Sequence, residues 1–221
     1  MMRNTEVPTI DTFEITGPRP PARDGTVLLL LHGRGSDEHD LQGLRRLLPD
    51  SWTLVTPRAV YPGAPWGYGP GWAWYRYIAQ DRVAPETLDR SLSALDEFIE
   101  GLPDLLGGPV DRLVLGGFSQ GGTTSLAYSL SRPGAVLAAL NFSGFLADGL
   151  EIPDAAAVPP IFWGHGLHDP AIPYELAVRG RARLREAGIE SVVSDHPIGH
   201  GIVPDEVEVA VRLIKDALEA S

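Results

Sequence analysis

Cysteine is missing from all 221 residues. Disulfides, thiolate metal sites and a cysteine nucleophile are therefore excluded together. Long apolar runs are missing as well. The strongest, Val27–Leu31 (VLLLL), is far short of the ~20 residues needed to cross a bilayer. The N-terminal MMRNTEVPTIDTFEITG holds no apolar core of signal-peptide length. Positive charge is scarce: 18 Lys and Arg stand against 29 Asp and Glu, a net charge of −11. That balance speaks against nucleic acid and anionic membrane surfaces as partners. The expectation is a cytoplasmic chain with no stable membrane insertion. Internal repeats and low-complexity tails are absent too. With 43% apolar and 21% charged residues the composition is that of an ordinary globular protein, and the length fits a single domain over residues 1–221.

Apolar runs alternate with amphipathic ones along the chain. Residues 8–16 alternate in polarity and read as an edge strand, followed by the turn-rich GPRPPARDG. Residues 26–33 (TVLLLLHG), 52–57, 111–118, 135–144, 160–166 and 189–195 read as further strands, most of them uniformly apolar. Helices are expected at 85–108, opened by Pro85 and closed by Gly107-Gly108, and at 120–130, 173–187 and 204–218. Asp37 is placed to cap a short helix carrying Leu41, Leu44, Leu47 and Leu48. Strands alternating with helices, and apolar on both faces, imply an α/β fold. Its central sheet is mostly parallel and flanked by helices on both faces. Ligands then bind at loops leaving the strand C-termini.

Residues 58–80 break the pattern, holding three of the five tryptophans and four of the six tyrosines. Such a loop is too aromatic for disorder and is expected to form a lid or pocket wall. Trp66, Trp72 and Trp74, with Ile172, would then line a small, mainly apolar site. The alternative is that the rings only pin the loop to the sheet.

The stretch LVLGGFSQGGTTSL (113–126) packs glycines around Ser119, although glycine inside an element costs roughly 0.5–1 kcal/mol relative to alanine. Gly117-Phe118-Ser119-Gln120-Gly121 matches G-x-S-x-G between a strand and a helix. In that context it reads as a nucleophile elbow, a sharp turn that holds a serine oxygen above the sheet. The Gln120 N–H would point the same way and donate to an oxyanion. A hydroxyl needs a base, and the base an orienting acid, in the chain order Ser, acid, His. Asp169 follows an apolar strand and His200 sits between Gly199 and Gly201 ahead of the last helix. They are the candidates, with Asp195 and Asp148 as competing acids. A second N–H donor is expected from the loop after the early strand, at Arg34 or Gly33. The Arg34 side chain would either sit at the mouth, favouring anionic or polar substrates, or face solvent. His32 and His165 read as structural histidines, and His168 and His196 as solvated ones.

With those pieces in place, the sequence resembles the carboxylesterase/phospholipase family of α/β-hydrolases, which includes short-chain esterases and acyl-protein thioesterases. The matching stretches are LLLHGRGSDEHDL, LGGFSQGGTTSLAY, WGHGLHDPAIPY and PIGHGIVPDEV, spread in order from residue 28 to 207. The resemblance implies a catalytic triad of Ser119, Asp169 and His200 and an oxyanion hole from the N–H groups of Arg34 and Gln120. It also implies no metal, no organic cofactor and no separate cap domain. Thioesterase members tend to have a hydrophobic residue where Arg34 stands, and Ser36 before Asp37 looks more like bacterial esterases. The activity so implied is a serine carboxylesterase acting on small to medium acyl esters. An acyl thioesterase or lysophospholipase is the near alternative, and a non-catalytic binding protein of the same fold the distant one. The expected partner is a small-molecule ester, and apolar surface on the lid could support a homodimer.

Overall fold

All five residues of Val27–Leu31 are buried, and they divide between two layers. Val27, Leu29 and Leu31 face a cluster containing Leu88, Leu92, Leu95, Phe98 and Leu102, while Leu28 and Leu30 face Val207, Ala210, Leu213 and Ile214. Successive side chains of a strand point to opposite faces, so a strand covered on both sides reads as one continuous apolar run. The computed structural model describes residues 8–22, 25–79 and 81–220. Arg23-Asp24 of the first turn, Gln80 of the aromatic segment, and the ends of the expected 1–221 domain lie outside the described residues.

Seven strands form the central sheet: β1 (Phe13–Thr16), β2 (Val27–Leu31), β3 (Thr53–Pro57), β4 (Leu113–Phe118), β5 (Ala138–Phe142), β6 (Ile161–Gly166) and β7 (Ser191–His196). Their spatial order is β1-β3-β2-β4-β5-β6-β7. β1 runs antiparallel along the edge beside β3, and the other pairings are parallel. The helices are α1 (Pro85–Leu106), α2 (Gln120–Ser131), α3 (Tyr174–Glu186) and α4 (Pro204–Ala220). α1 and α2 share one core cluster, and α3 packs beside α2 through Ala177, Leu184, Leu126 and Leu130. α4 covers the opposite face. α1 opens on Pro85 and closes on Gly107 at φ +72°, the backbone that glycine adopts most readily. Among the described residues no helix is long and apolar enough to cross a membrane.

Two local expectations need correction. Asp37 does not cap an α-helix: its Oδ1 accepts the His39 N–H at 3.0 Å, and the helical stretch that follows is a 3₁₀ helix, Gln42–Leu47. A three-residue turn puts Leu41, Leu44 and Leu47 on one side, and all three pack into the cluster under α4. The aromatic segment also has more structure than a loop. Tyr61–Pro62 pairs with Trp72–Ala73, Tyr77–Ala79 pairs with Arg82–Val83, and Ala64–Trp66 forms a 3₁₀ turn.

Glu206 lies in the first turn of α4 with no exposed surface, packed against Gly164 of β6. Its Oε2 accepts the Val203 N–H at 2.8 Å, and Oε1 has no partner. Burial pushes its carboxyl up to about 7. A value raised on folding means that the protonated form stabilises the fold. That contribution is complete below the unfolded value and is lost as pH rises through about 7. Glu206→Gln removes the charge and keeps the acceptor for Val203. The melting temperature of the variant minus that of the parent should therefore grow between pH 5 and pH 8; a difference independent of pH would refute the assignment.

Candidate active site

Ser119 joins β4 to α2 at φ +55° and ψ −114°, a left-handed backbone that a residue with a side chain adopts only when its surroundings impose it. The imposition is visible. The Ser119 N–H donates to the Phe142 carbonyl at 2.7 Å, and its own carbonyl accepts the Thr123 N–H at 3.1 Å. A methyl on Gly117 would overlap the Gly121 backbone, and one on Gly121 would overlap the Leu31 carbonyl. The glycines thus let α2 start directly over the ends of β2 and β4. Gln120 is the first residue of α2, so its N–H has no acceptor inside the helix. It adds to the positive end of the helix dipole there.

Two later loops converge beside this bend. Asp169 follows β6 and His200 follows β7, and their backbones are tied together: Leu167 N–H donates to His196 O at 2.8 Å and His168 N–H to Ile198 O at 2.9 Å. Gly166 lies so close to the Gly199 carbonyl that a Cβ would not fit. The Asp169 side chain is buried, with Oδ1 accepting the N–H groups of Ala171 and Ile172 at 2.8 and 2.9 Å. Oδ2 is left for His200 Nδ1, 2.6 Å away. Ser143, at φ +54°, donates its hydroxyl to the Gly201 carbonyl at 3.3 Å and so braces the histidine loop. The His200 ring stacks at 4.7 Å on that of Phe118, the residue before Ser119.

The other candidate groups are engaged elsewhere. Asp195 bonds the Arg181 guanidinium through both oxygens at 2.8 Å and also the Tyr174 hydroxyl. Asp148 lines a separate cleft with Arg179 and Arg183. His32 is buried, with Nδ1 donating to Gly33 O at 2.7 Å and Nε2 accepting the Ala59 N–H at 3.0 Å. His165 is buried with Nε2 2.9 Å from Ile172 O, behind the acid loop. Burial lowers the pKa of both, so both favour the neutral ring. His196 bonds Ser194 at 3.0 Å, which makes it partnered rather than simply solvated.

Ser119 and His200 line one cavity of about 430 Å³, together with Gly33, Arg34, Ser36, Asp40, Tyr77, Ala79, Phe118, Ala171 and Ile172. Ile172 is where the sequence suggested. The tryptophans are not: none of Trp66, Trp72 and Trp74 lines this cavity. Trp74 is fully buried, its indole donating to His32 O at 3.0 Å. Trp72 lies under the Arg58 guanidinium, and Trp66 meets Tyr61 at a tilt and Tyr68 edge-on. Indole is the largest apolar group available for fixing this segment to the sheet, and Tyr77 and Ala79 form the wall instead. The cavity is accordingly more polar than the aromatic composition suggested.

The tie that sequence reasoning missed is the Gln120 side chain. It is fully buried, accepting the Trp74 N–H through Oε1 at 2.8 Å and donating Nε2–H to the Tyr75 carbonyl at 2.7 Å. The residue after Ser119 thus holds the aromatic segment, and Trp74 in turn holds the loop that carries Arg34. A buried amide needs partners for both of its atoms, but a sequence does not say which backbone supplies them.

Comparison with known proteins adds four findings. A family model described as Phospholipase/Carboxylesterase matches residues 11–218. Acyl-protein thioesterase 1 of Neurospora crassa is 29% identical, the alignment covering 90% of this chain and 92% of that protein. A probable carboxylesterase of Oryza sativa subsp. japonica is 27% identical over 90% of this chain and 80% of that one. Among solved structures, esterase PE8 superposes with a TM-score of 0.76 at 26% identity, covering 95% of this chain and 99% of that chain. The architecture is the α/β-hydrolase fold.

Gln120→Ala would leave the Trp74 N–H and Tyr75 carbonyl buried and unpaired, at about 1–3 kcal/mol each. Urea denaturation should register a loss of about 2–5 kcal/mol for that variant and about 3–5 kcal/mol for Trp74→Ala. Parental stability in both would show that the segment is not anchored in this way.

Proposed function

The chain belongs to the Phospholipase/Carboxylesterase family, and we propose that it hydrolyses small to medium acyl esters with Ser119 as nucleophile, His200 as base and Asp169 as orienting acid. The observation that carries this reading is the 2.6 Å His200–Asp169 bond at a cavity shared with the strained Ser119 turn. His200 takes the Ser119 proton as the hydroxyl oxygen attacks the ester carbonyl. Asp169 stabilises the imidazolium through Nδ1–H and fixes the tautomer that leaves Nε2 as the base. Oδ1 is already satisfied by two amides, so Oδ2 is the oxygen directed at the ring. The N–H groups of Gln120 and Arg34 receive the oxyanion, a donor of this kind contributing roughly 3–4 kcal/mol. The imidazolium protonates the departing alcohol, then as imidazole activates water, which releases the acid from Ser119.

We read residues 58–80 as a fixed wall of a single domain rather than a mobile lid. Beyond the Gln120 bonds, Ser91 donates to the Trp74 carbonyl, and the Tyr77 N–H donates to Tyr68 Oη at 2.8 Å. A thioesterase reading is favoured by one specific observation, the name of the Neurospora relative. Against it stands a cavity of about 430 Å³ whose lining includes Arg34, Ser36 and Asp40, which suits a short or polar acyl chain better than a long one.

A p-nitrophenyl ester series run beside an acyl thioester should show a preference for short and medium esters. A profile rising steadily to long acyl chains, or faster thioester cleavage, would move the protein to the alternative. A fluorophosphonate should label the parent and not Ser119→Ala. Asp169→Asn should lower kcat by about four orders of magnitude; retention of more than a tenth of the parental kcat would remove Asp169 from the triad.

A further inference from the structure

Arg34 brings a positive charge to the cavity and has no ion-pair partner among the described residues. Its guanidinium carbon stands 4.9 Å from the Tyr68 ring centroid and 5.4 Å from that of Tyr77. Both rings are held: the Tyr77 N–H donates to Tyr68 Oη at 2.8 Å, and the Tyr77 hydroxyl lies 3.3 Å from that of Tyr75. A cation–π contact leaves the guanidinium N–H donors available to other partners. Among the described residues none of those donors meets a protein acceptor.

The location matters as much as the free donors. Arg34 lines the cavity that holds Ser119 and His200. Its neighbour Gly33 approaches the nucleophile so closely that a methyl there would lie 3.6 Å from Ser119 Cβ. Tyr68 and Tyr77 also line a shallow outer groove with Trp66, Arg76 and Ile78, and that groove's lining contains no carboxylate. Arg34 therefore stands where the reaction cavity opens into a second, cation-bearing surface.

We infer that Arg34 forms an anion subsite, and that the preferred substrates are esters whose distal end carries a carboxylate. The inference rests on the reading of Ser119, His200 and Asp169 given above. A planar guanidinium meets a carboxylate with two parallel N–H···O bonds, which an ammonium does not reproduce. Asp40, the one carboxylate among the residues lining the cavity, opposes the anion by like charge; it and Arg34 are both exposed, so water screens the long-range part of the repulsion and of the attraction alike. The net charge of −11 repels anions at long range. The preference therefore comes from the short-range bond and not from steering.

The carboxylate can sit on either side of the scissile bond, and two substrate pairs separate the cases. p-Nitrophenyl hemiglutarate against p-nitrophenyl valerate reports the acyl side, and 4-carboxyphenyl butyrate against phenyl butyrate the alcohol side. For each pair the charged-to-neutral ratio of kcat/KM is measured in the parent, Arg34→Met, Arg34→Lys and Asp40→Asn. The ratio is read because the Arg34 N–H belongs to the proposed oxyanion hole, and a change there scales both substrates together. In at least one pair the ratio should fall about tenfold in Arg34→Met, recover partly in Arg34→Lys, and rise about two- to threefold in Asp40→Asn. Ratios within twofold of the parent in Arg34→Met, for both pairs, overturn the subsite. A second measurement does not need turnover: Ser119→Ala is titrated with monomethyl glutarate and with methyl valerate. Tighter binding of the hemiester, abolished by adding Arg34→Met, supports the subsite on the acyl side, and equal binding together with an unchanged alcohol-side ratio overturns it. Parental hydrolysis by Ser119→Ala would instead defeat the triad reading, and the charged-to-neutral ratios in the Arg34 variants would still decide the subsite.

Discussion

The close approach of α2 to the ends of β2 and β4 is the constraint on which the remaining geometry depends. Gly121 lies against the Leu31 carbonyl and Gly117 against Gly121 with no room for a Cβ. This contact forces Ser119 to φ +55°. Ser119 so held lines the cavity, and the N–H of Gln120 beside it is the first of α2 without an acceptor in the helix. A longer turn would relax the backbone and let the helix drift away from the strand ends. The oxygen and its neighbouring donor would then no longer share a position.

Burial sorts the histidines. His32 and His165 are enclosed, and burial lowers the pKa of both; His32 joins the Gly33 carbonyl to the Ala59 N–H, and His165 meets the Ile172 carbonyl. His200 keeps a fifth of its side chain exposed and faces the buried Asp169, whose Oδ2 accepts from its Nδ1. The same chemistry, an imidazole near a strand end, is buried packing in two places and the proposed base in the third. Solvent access and the partner of Nδ1 make the difference.

The aromatic segment illustrates how the elements depend on one another. Gln120 bonds the backbone of Trp74 and Tyr75, Trp74 bonds the His32 carbonyl, and Gly35 N–H donates to Trp72 O at 2.7 Å. The loop carrying Arg34 is therefore positioned from the same helix start that positions Ser119. Ser119 and both proposed oxyanion donors are thus tied to one helix start, the fixed arrangement that preorganised electrostatic stabilisation requires. The tyrosines left over from this packing form the platform under Arg34.

Much of this was written in local pattern. Runs such as VLLLL require a strand covered on both faces, Pro85 and Gly107 delimit α1, and glycines on both sides of one serine announce a bend that only small neighbours permit. Chain order then pointed to Asp169 and His200. Those features depend on residues a few positions apart, so local chemistry determines them. The roles of the tryptophans, the double bond of Gln120, the brace from Ser143 and the wall supplied by Tyr77 depend on segments tens of residues apart meeting at chosen angles. An indole looks the same in sequence whether it lines a pocket or fills a core, and an exposed arginine the same whether paired or free. Only the packing of the folded chain decides which neighbours satisfy each group, because burial and hydrogen-bond partners are properties of surroundings rather than of residue types.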